Sequence, residues 1–123
     1  MARILFVDDD PMTLDMLSKI ISLSGHQALT AVTAGKGLET AATEQPDIIL
    51  VDMNMPDMDG LAFLRALHQQ PETAKIPALM LSASAELDVE EQVKEAGGQG
   101  YLAKPLNITK FLEIIEQNVK PTE

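Results

Sequence analysis

Carboxylates, a hydroxyl and an ammonium group stand in this sequence where apolar runs end. Asp8, Asp9 and Asp10 follow Arg3-Ile4-Leu5-Phe6-Val7, and Asp52 closes Ile48-Ile49-Leu50-Val51. Ser82 closes Pro77-Ala78-Leu79-Met80-Leu81, and Lys104 follows Gly100-Tyr101-Leu102-Ala103. Three carboxylates brought together repel; at about 4 Å and an effective dielectric near 20, each pair costs on the order of 4 kcal/mol. A cation or a shared proton has to offset that. Few oxygen ligands on a solvent-facing edge suit Mg²⁺ completed by waters. Lys104 would add a mobile positive charge and Ser82 a short donor. Metal, ammonium and hydroxyl around a carboxylate are the parts for phosphoryl transfer, which needs positioning and charge neutralisation more than covalent assistance. Asp52 would be the nucleophile and become an acyl phosphate.

Whether these groups meet depends on the elements that carry them. Ile48 to Val51 is β-branched at three of its four positions and has no polar alternation, so a strand there wants both faces covered. Arg3 to Val7 reads as a first strand, and Asp10-Pro11 as the cap and first position of a helix. That helix carries Met12, Met16, Leu17, Ile20, Ile21 and Leu23 at near-helical spacing and stops at Gly25. Ala28 to Val32 is a modest second strand, and Thr33 caps a weak helix through about Glu44, before Gln45-Pro46. Leu61, Phe63, Leu64 and Leu67 mark a third helix. Ser84 opens a fourth, acid-rich one (Glu86, Asp88, Glu90, Glu91) that ends at Gly97-Gly98. Gly100 to Ala103 is a fifth strand, and Asn107 caps a last helix with Leu112, Ile115 and Val119.

Five strand–helix alternations with short connections imply a parallel sheet covered on both faces. Right-handed crossovers then set every strand's C-terminal end on one edge, where ligands bind in open α/β sheets. That edge gathers Asp8, Asp9, Asp52, Ser82 and Lys104.

Composition narrows the options. The 123 residues suffice for one domain with one sizeable core. Acidic residues outnumber basic ones 19 to 9, and the net charge of −10 repels nucleic acid phosphates and anionic lipid, which argues against direct binding to either. No apolar run is long enough for a signal peptide or a membrane span. The absence of cysteine excludes thiol chemistry and suits a reducing cytoplasm.

Four stretches together resemble the receiver domain of two-component response regulators, of the CheY-like kind. They are Val7-Asp8-Asp9-Asp10-Pro11, the run Asp52-Met53-Asn54-Met55-Pro56-Asp57-Met58-Asp59-Gly60, Ser82-Ala83, and Gly100-Tyr101-Leu102-Ala103-Lys104-Pro105. The resemblance runs from Met1 to about Val119, so residues 1–119 are expected to form the receiver and 120–123 a tail or the start of a linker. It implies a flavodoxin-like, doubly wound five-stranded sheet in the order 2-1-3-4-5, an order for which a receiver is itself a standard example. It also implies that Asp52 takes its phosphoryl group from the phosphohistidine of a sensor histidine kinase or phosphotransfer domain. By resemblance, Asp9, Asp52 and the backbone carbonyl of Asn54 ligate Mg²⁺ directly, with Asp8 acting through water. Lys104 pairs with the phosphoryl group, Ser82 hydrogen-bonds it, and Tyr101 turns inward when that hydroxyl is recruited. The family's switch surface lies on the fourth helix, fifth strand and fifth helix, facing an output domain or target protein. A homodimer through that surface is one assembly the resemblance allows.

Two other functions compete. A pseudo-receiver would keep the fold and act without phosphate, but it would be favoured by loss of an acid, the lysine or the acceptor, and all are present. A hydrolase with an aspartate nucleophile wants a second Asp two residues on, where Asn54 stands, and neither GxxxxGK[ST] nor GxGxxG occurs. The expectation is therefore a self-phosphorylating signalling domain rather than a turnover enzyme. Met53, Met55 and Met58 read as packing, and His26 and His68 as surface residues.

Overall fold

The computed structural model describes residues 2–53, 55–82, 89–103 and 106–118. Five strands alternate with five helices: β1 (Arg3–Val7), α1 (Pro11–Leu23), β2 (Gln27–Ala31), α2 (Ala34–Glu44), β3 (Ile48–Asp52), α3 (Gly60–Gln69), β4 (Ala78–Ser82), α4 (Val89–Glu95), β5 (Gly100–Ala103) and α5 (Ile108–Asn118). All strand pairs are parallel, in the order β2-β1-β3-β4-β5. The expected sheet and its order are those observed.

The continuous apolar strands work because the pleat sends alternate side chains to opposite, equally covered faces. Leu5, Val7, Ile49, Val51, Ala78 and Met80 pack with Ala34 and Ala41 of α2, Phe63, Leu64 and Leu67 of α3, and Val89 and Val93 of α4. Ile4, Phe6, Ile48, Leu50, Leu79 and Leu81 pack with Leu14, Leu17 and Ile21 of α1 and Phe111 and Ile115 of α5. On that second face the rings of Phe6 and Phe111 meet at 5.8 Å in a tilted arrangement, a favoured aromatic geometry. Gly37 lets α2 lie close to β1, since a Cβ there would come within 2.8 Å of Val7 and 2.9 Å of Phe63.

The helix caps follow the sequence. Asp10 accepts from the Met12 amide, Thr33 from Lys36, Asp59 from Ala62 and Asn107 from Lys110. Gly25, at φ +85°, turns the chain out of α1.

Three expectations need correction. On α1 the spacing included Met12, Met16 and Leu23, yet Met12 is 80% and Leu23 89% exposed and Met16 also faces solvent. The helix is covered on one side only, by Leu14, Leu17 and Ile21, which leaves the opposite side to water. The second strand is shifted by one residue, to Gln27–Ala31, because its last pairing is with Val7 at the end of β1; Val32 lies beyond it and is exposed. His26 is not a plain surface residue: half-buried, it accepts the Ala2 amide on Nδ1 at 2.9 Å and ties down the start of β1. The fourth helix begins, among the described residues, only at Val89, so the expected cap Ser84 with Glu86 and Asp88 lies outside them. So do Asn54, Lys104, Val119 and the tail 120–123.

Candidate active site

Register fixes where the strands stop. Val7 pairs with Val51, Asp52 with Leu81, and Ser82 with Ala103, so β1, β3, β4 and β5 reach one rim together. The Asp8 amide continues the β1 ladder by donating to the Ala31 carbonyl at 3.1 Å. Its side chain turns back over the rim, where Oδ1 accepts the Asp10 amide at 2.9 Å.

Asp8, Asp9 and Asp52 converge there. One carboxylate oxygen from each lies within 4.8 Å of the others. Asp8 and Asp52 are only 6% and 5% exposed, whereas Asp9 is open to solvent. The cluster forms one end of a pocket of about 540 Å³, whose other walls include Met16, Leu81 and Leu106. An all-oxygen set of this span, with two buried members and one at the mouth, fits a small hard cation that keeps part of its water shell. Asp10 stands apart from the three as the α1 cap, also accepting the Thr13 hydroxyl.

The loop after Asp52 is held from three sides. The Met53 amide donates to the Leu81 carbonyl at 3.0 Å, and the Met53 carbonyl accepts from the Gly60 amide at 2.8 Å. Gly60 permits this approach, because a Cβ there would sit 2.9 Å from Met53 Cα and 3.1 Å from the Asp52 carbonyl oxygen. Further along, Asp57 accepts the Ala34 and Gly35 amides at 3.1 Å each and so tethers the loop to the N-terminus of α2. Those amides, Ala34's foremost, hold the Asp57 carboxyl below its ordinary 3.8 by favouring the charged form.

Ser82 is 1% exposed, and its hydroxyl donates to Met53 Sδ at 3.4 Å. Tyr101 lies half-buried in β5 against the α2–α4 side of the core, beside a 320 Å³ depression that Glu90 and Lys110 also line. Sequence reasoning missed two participants: Asp57, and Met53 as the hydroxyl's acceptor. Neither tether has a local pattern to reveal it, since Asp57 reaches 22 and 23 residues back and Ser82 reaches Met53 29 residues away.

Residues 4–116 match the response regulator receiver domain model. The chain belongs to that family. The receiver is 35% identical to protein PilH of Pseudomonas aeruginosa over 94% of this chain and 95% of that protein. It is 33% identical to the DNA-binding dual master transcriptional regulator RpaA of Synechocystis, over its full length but only 51% of that relative, so it spans about half of RpaA. Among solved structures, the chemotaxis protein CheY4 of Vibrio cholerae superposes with a TM-score of 0.89 at 30% identity, covering 97% of this chain and 99% of that one. The receiver domain of a sensor histidine kinase of Pseudomonas aeruginosa, solved with a magnesium ion coordinated in its active-site cleft, gives 0.84 at 25% identity, covering 94% and 95%. Among the described residues no helix is long and apolar enough to cross a membrane.

Proposed function

We propose that this receiver accepts a phosphoryl group on Asp52 from a phosphohistidine of a sensor histidine kinase or phosphotransfer domain. The observation that carries the reading is the convergence of Asp8, Asp9 and Asp52 around a buried strand end. A carboxylate oxygen of Asp52 forms the new P–O bond as the P–N bond breaks. The electron pair returns to the imidazole nitrogen, which takes up a proton. Asp9, Asp52 and the backbone carbonyl of Asn54 would hold Mg²⁺, with Asp8 acting through water. When bound, the ion draws charge from the phosphoryl oxygens. Asp8 and Asp9 would otherwise repel the incoming dianion, so their work is to hold the cation that reverses the local sign of charge. Ser82 then donates its hydroxyl to a phosphoryl oxygen, and Lys104 pairs with another by resemblance to the family.

Recruitment of Ser82 and inward rotation of Tyr101 would shift the α4-β5-α5 surface, read by an output domain, a target protein or a second copy of the receiver. The domain modifies itself once per signal and is not a turnover enzyme. It acts in the cytoplasm. The test is intact mass after incubation with Mg²⁺ and acetyl phosphate, beside an Asp52→Asn control and a sample with EDTA. One labile phosphate that requires both Mg²⁺ and Asp52 is expected. No modification of the folded wild type would replace this reading with a phosphate-independent interaction module.

A further inference from the structure

We propose that Met53 is a positioning residue that holds the Ser82 hydroxyl in its resting rotamer and thereby sets how readily that hydroxyl is recruited to phosphorylated Asp52. The inference rests on the phosphoryl-acceptance reading above and assigns a part to a side chain that the site would otherwise use only for packing.

The pleat supplies the first argument. Asp52 continues the run Ile48, Leu50, whose side chains lie on the α1–α5 face, and the acid pocket opens on that face between Met16 and Leu106. Ser82 continues Ala78 and Met80, which lie on the opposite face, as do Met53 and Tyr101. In the resting structure the Ser82 hydroxyl therefore serves a thioether on the face away from the pocket. Reaching a phosphoryl oxygen on Asp52 requires it to leave Met53.

Anchoring of Met53 supplies the second. Its amide and carbonyl are both fixed, by Leu81 and Gly60, and its side chain packs on the core. The sulfur is thus presented at a set place. At 1% exposure Ser82 exchanges between acceptors inside the protein rather than with bulk water.

Acceptor strength supplies the third. A thioether sulfur is a weak acceptor, whereas a hydrogen bond to a charged phosphoryl oxygen is roughly twice as strong as a neutral one. Met53 can hold the hydroxyl before phosphorylation and be outcompeted after it.

Met53→Leu keeps the volume and removes the acceptor. With acetyl phosphate and Mg²⁺, a carboxylate oxygen of Asp52 bonds to phosphorus while acetate leaves with the electron pair of the broken P–O bond. Losing one weak competing hydrogen bond should raise that rate by about threefold. In a Ser82→Ala background the same Met53→Leu change should leave the rate unaltered. The ¹³C resonance of the Met53 ε-methyl should move on Ser82→Ala and move likewise when the wild type is phosphorylated, while that of Met55 stays. Equal rate effects of Met53→Leu in both backgrounds, or a Met53 methyl indifferent to Ser82, would overturn the latch while phosphorylation itself stood. A wild type that takes no phosphate would remove the functional reading and the latch together.

Discussion

Replacing Asp52 by Asn is expected to stabilise the folded protein in metal-free buffer, and Mg²⁺ is expected to erase the gain. Asp8 and Asp52 are both almost fully buried, with carboxylate oxygens no more than 4.8 Å apart. At that separation and an effective dielectric near 20, Coulomb's law gives about 3.5 kcal/mol of repulsion, little of it screened by salt. Both carboxylates make further contacts that the substitution alters, so the net gain falls to roughly 1–2 kcal/mol. For a chain of 123 residues that corresponds to a rise in Tm of about 3–10 °C. A bound cation reverses the balance, because it stabilises the wild-type cluster by mass action and the variant has lost a ligand. Thermal melts of wild type and Asp52→Asn at neutral pH, in EDTA and in Mg²⁺, supply the assay. Asp15→Asn is the control, since Asp15 sits on the open side of α1 paired with Lys19 and should change little. A lowered Tm for Asp52→Asn in EDTA, or a gain of equal size in Mg²⁺, would refute the repulsive, cation-seeking cluster.

Three further outcomes follow from neighbouring contacts. Gly60→Ala drives a Cβ to 2.9 Å from the Met53 backbone, so denaturant midpoints should show a loss of about 1–3 kcal/mol, with phosphorylation at Asp52 slowed as well. Thr73→Val removes a buried hydroxyl that donates to the Leu67 carbonyl at 2.6 Å, and should cost about 1–3 kcal/mol in urea unfolding. Asp57 has a folded-state pKa below its ordinary 3.8, so its contribution to stability is complete above that value and is lost as pH falls through the lowered one. Urea midpoints of wild type and Asp57→Asn, followed from neutral to strongly acidic pH, should differ at neutral pH and converge in acid; parallel curves would show that the carboxylate is not what holds the loop.

The fold was legible because both of its periodicities are local. Ile48 to Val51 announces a strand covered on two faces, and the caps Asp10, Thr33 and Asn107 are set by the few residues around them. The rim was legible for a different reason. Parallel topology alone delivers strand ends to one edge, so a carboxylate or hydroxyl that closes a run is placed by the fold rather than by its own neighbours. What stayed hidden depends on pairs distant in sequence. The Asp57 carboxylate lies 23 residues from Ala34, and His26 Nδ1 is 24 residues from the Ala2 amide it accepts. The misjudged face of α1 has another cause. Met12, Met16 and Leu23 satisfy helical spacing as well as Leu14, Leu17 and Ile21 do, and periodicity does not tell which stripe meets the sheet when both are apolar.

The hidden contacts of Met53, Asp57 and Ser82 share one location, and that coincidence bears on mechanism. Leu81 and Gly60 hold the backbone at Met53, the α2 amides hold Asp57, and the Met53 sulfur in turn holds Ser82. The segment after Asp52 is therefore tied to β4, α3 and α2 by bonds that require no phosphate. Under the proposed phosphorylation, charge added at Asp52 would arrive in a frame already fixed on those sides. In the proposed response, rearrangement falls to the Ser82–Met53 contact, a hydroxyl on a thioether that is weak by chemistry. Ser82 lies at the end of β4, beside β5, which carries Tyr101. In the proposed switch, the Ser82–Met53 hydrogen bond, at the end of the strand beside β5, is a weak contact that phosphorylation has to break. Changing Met53 should tune the proposed response while leaving in place the residues proposed to carry the phosphoryl chemistry.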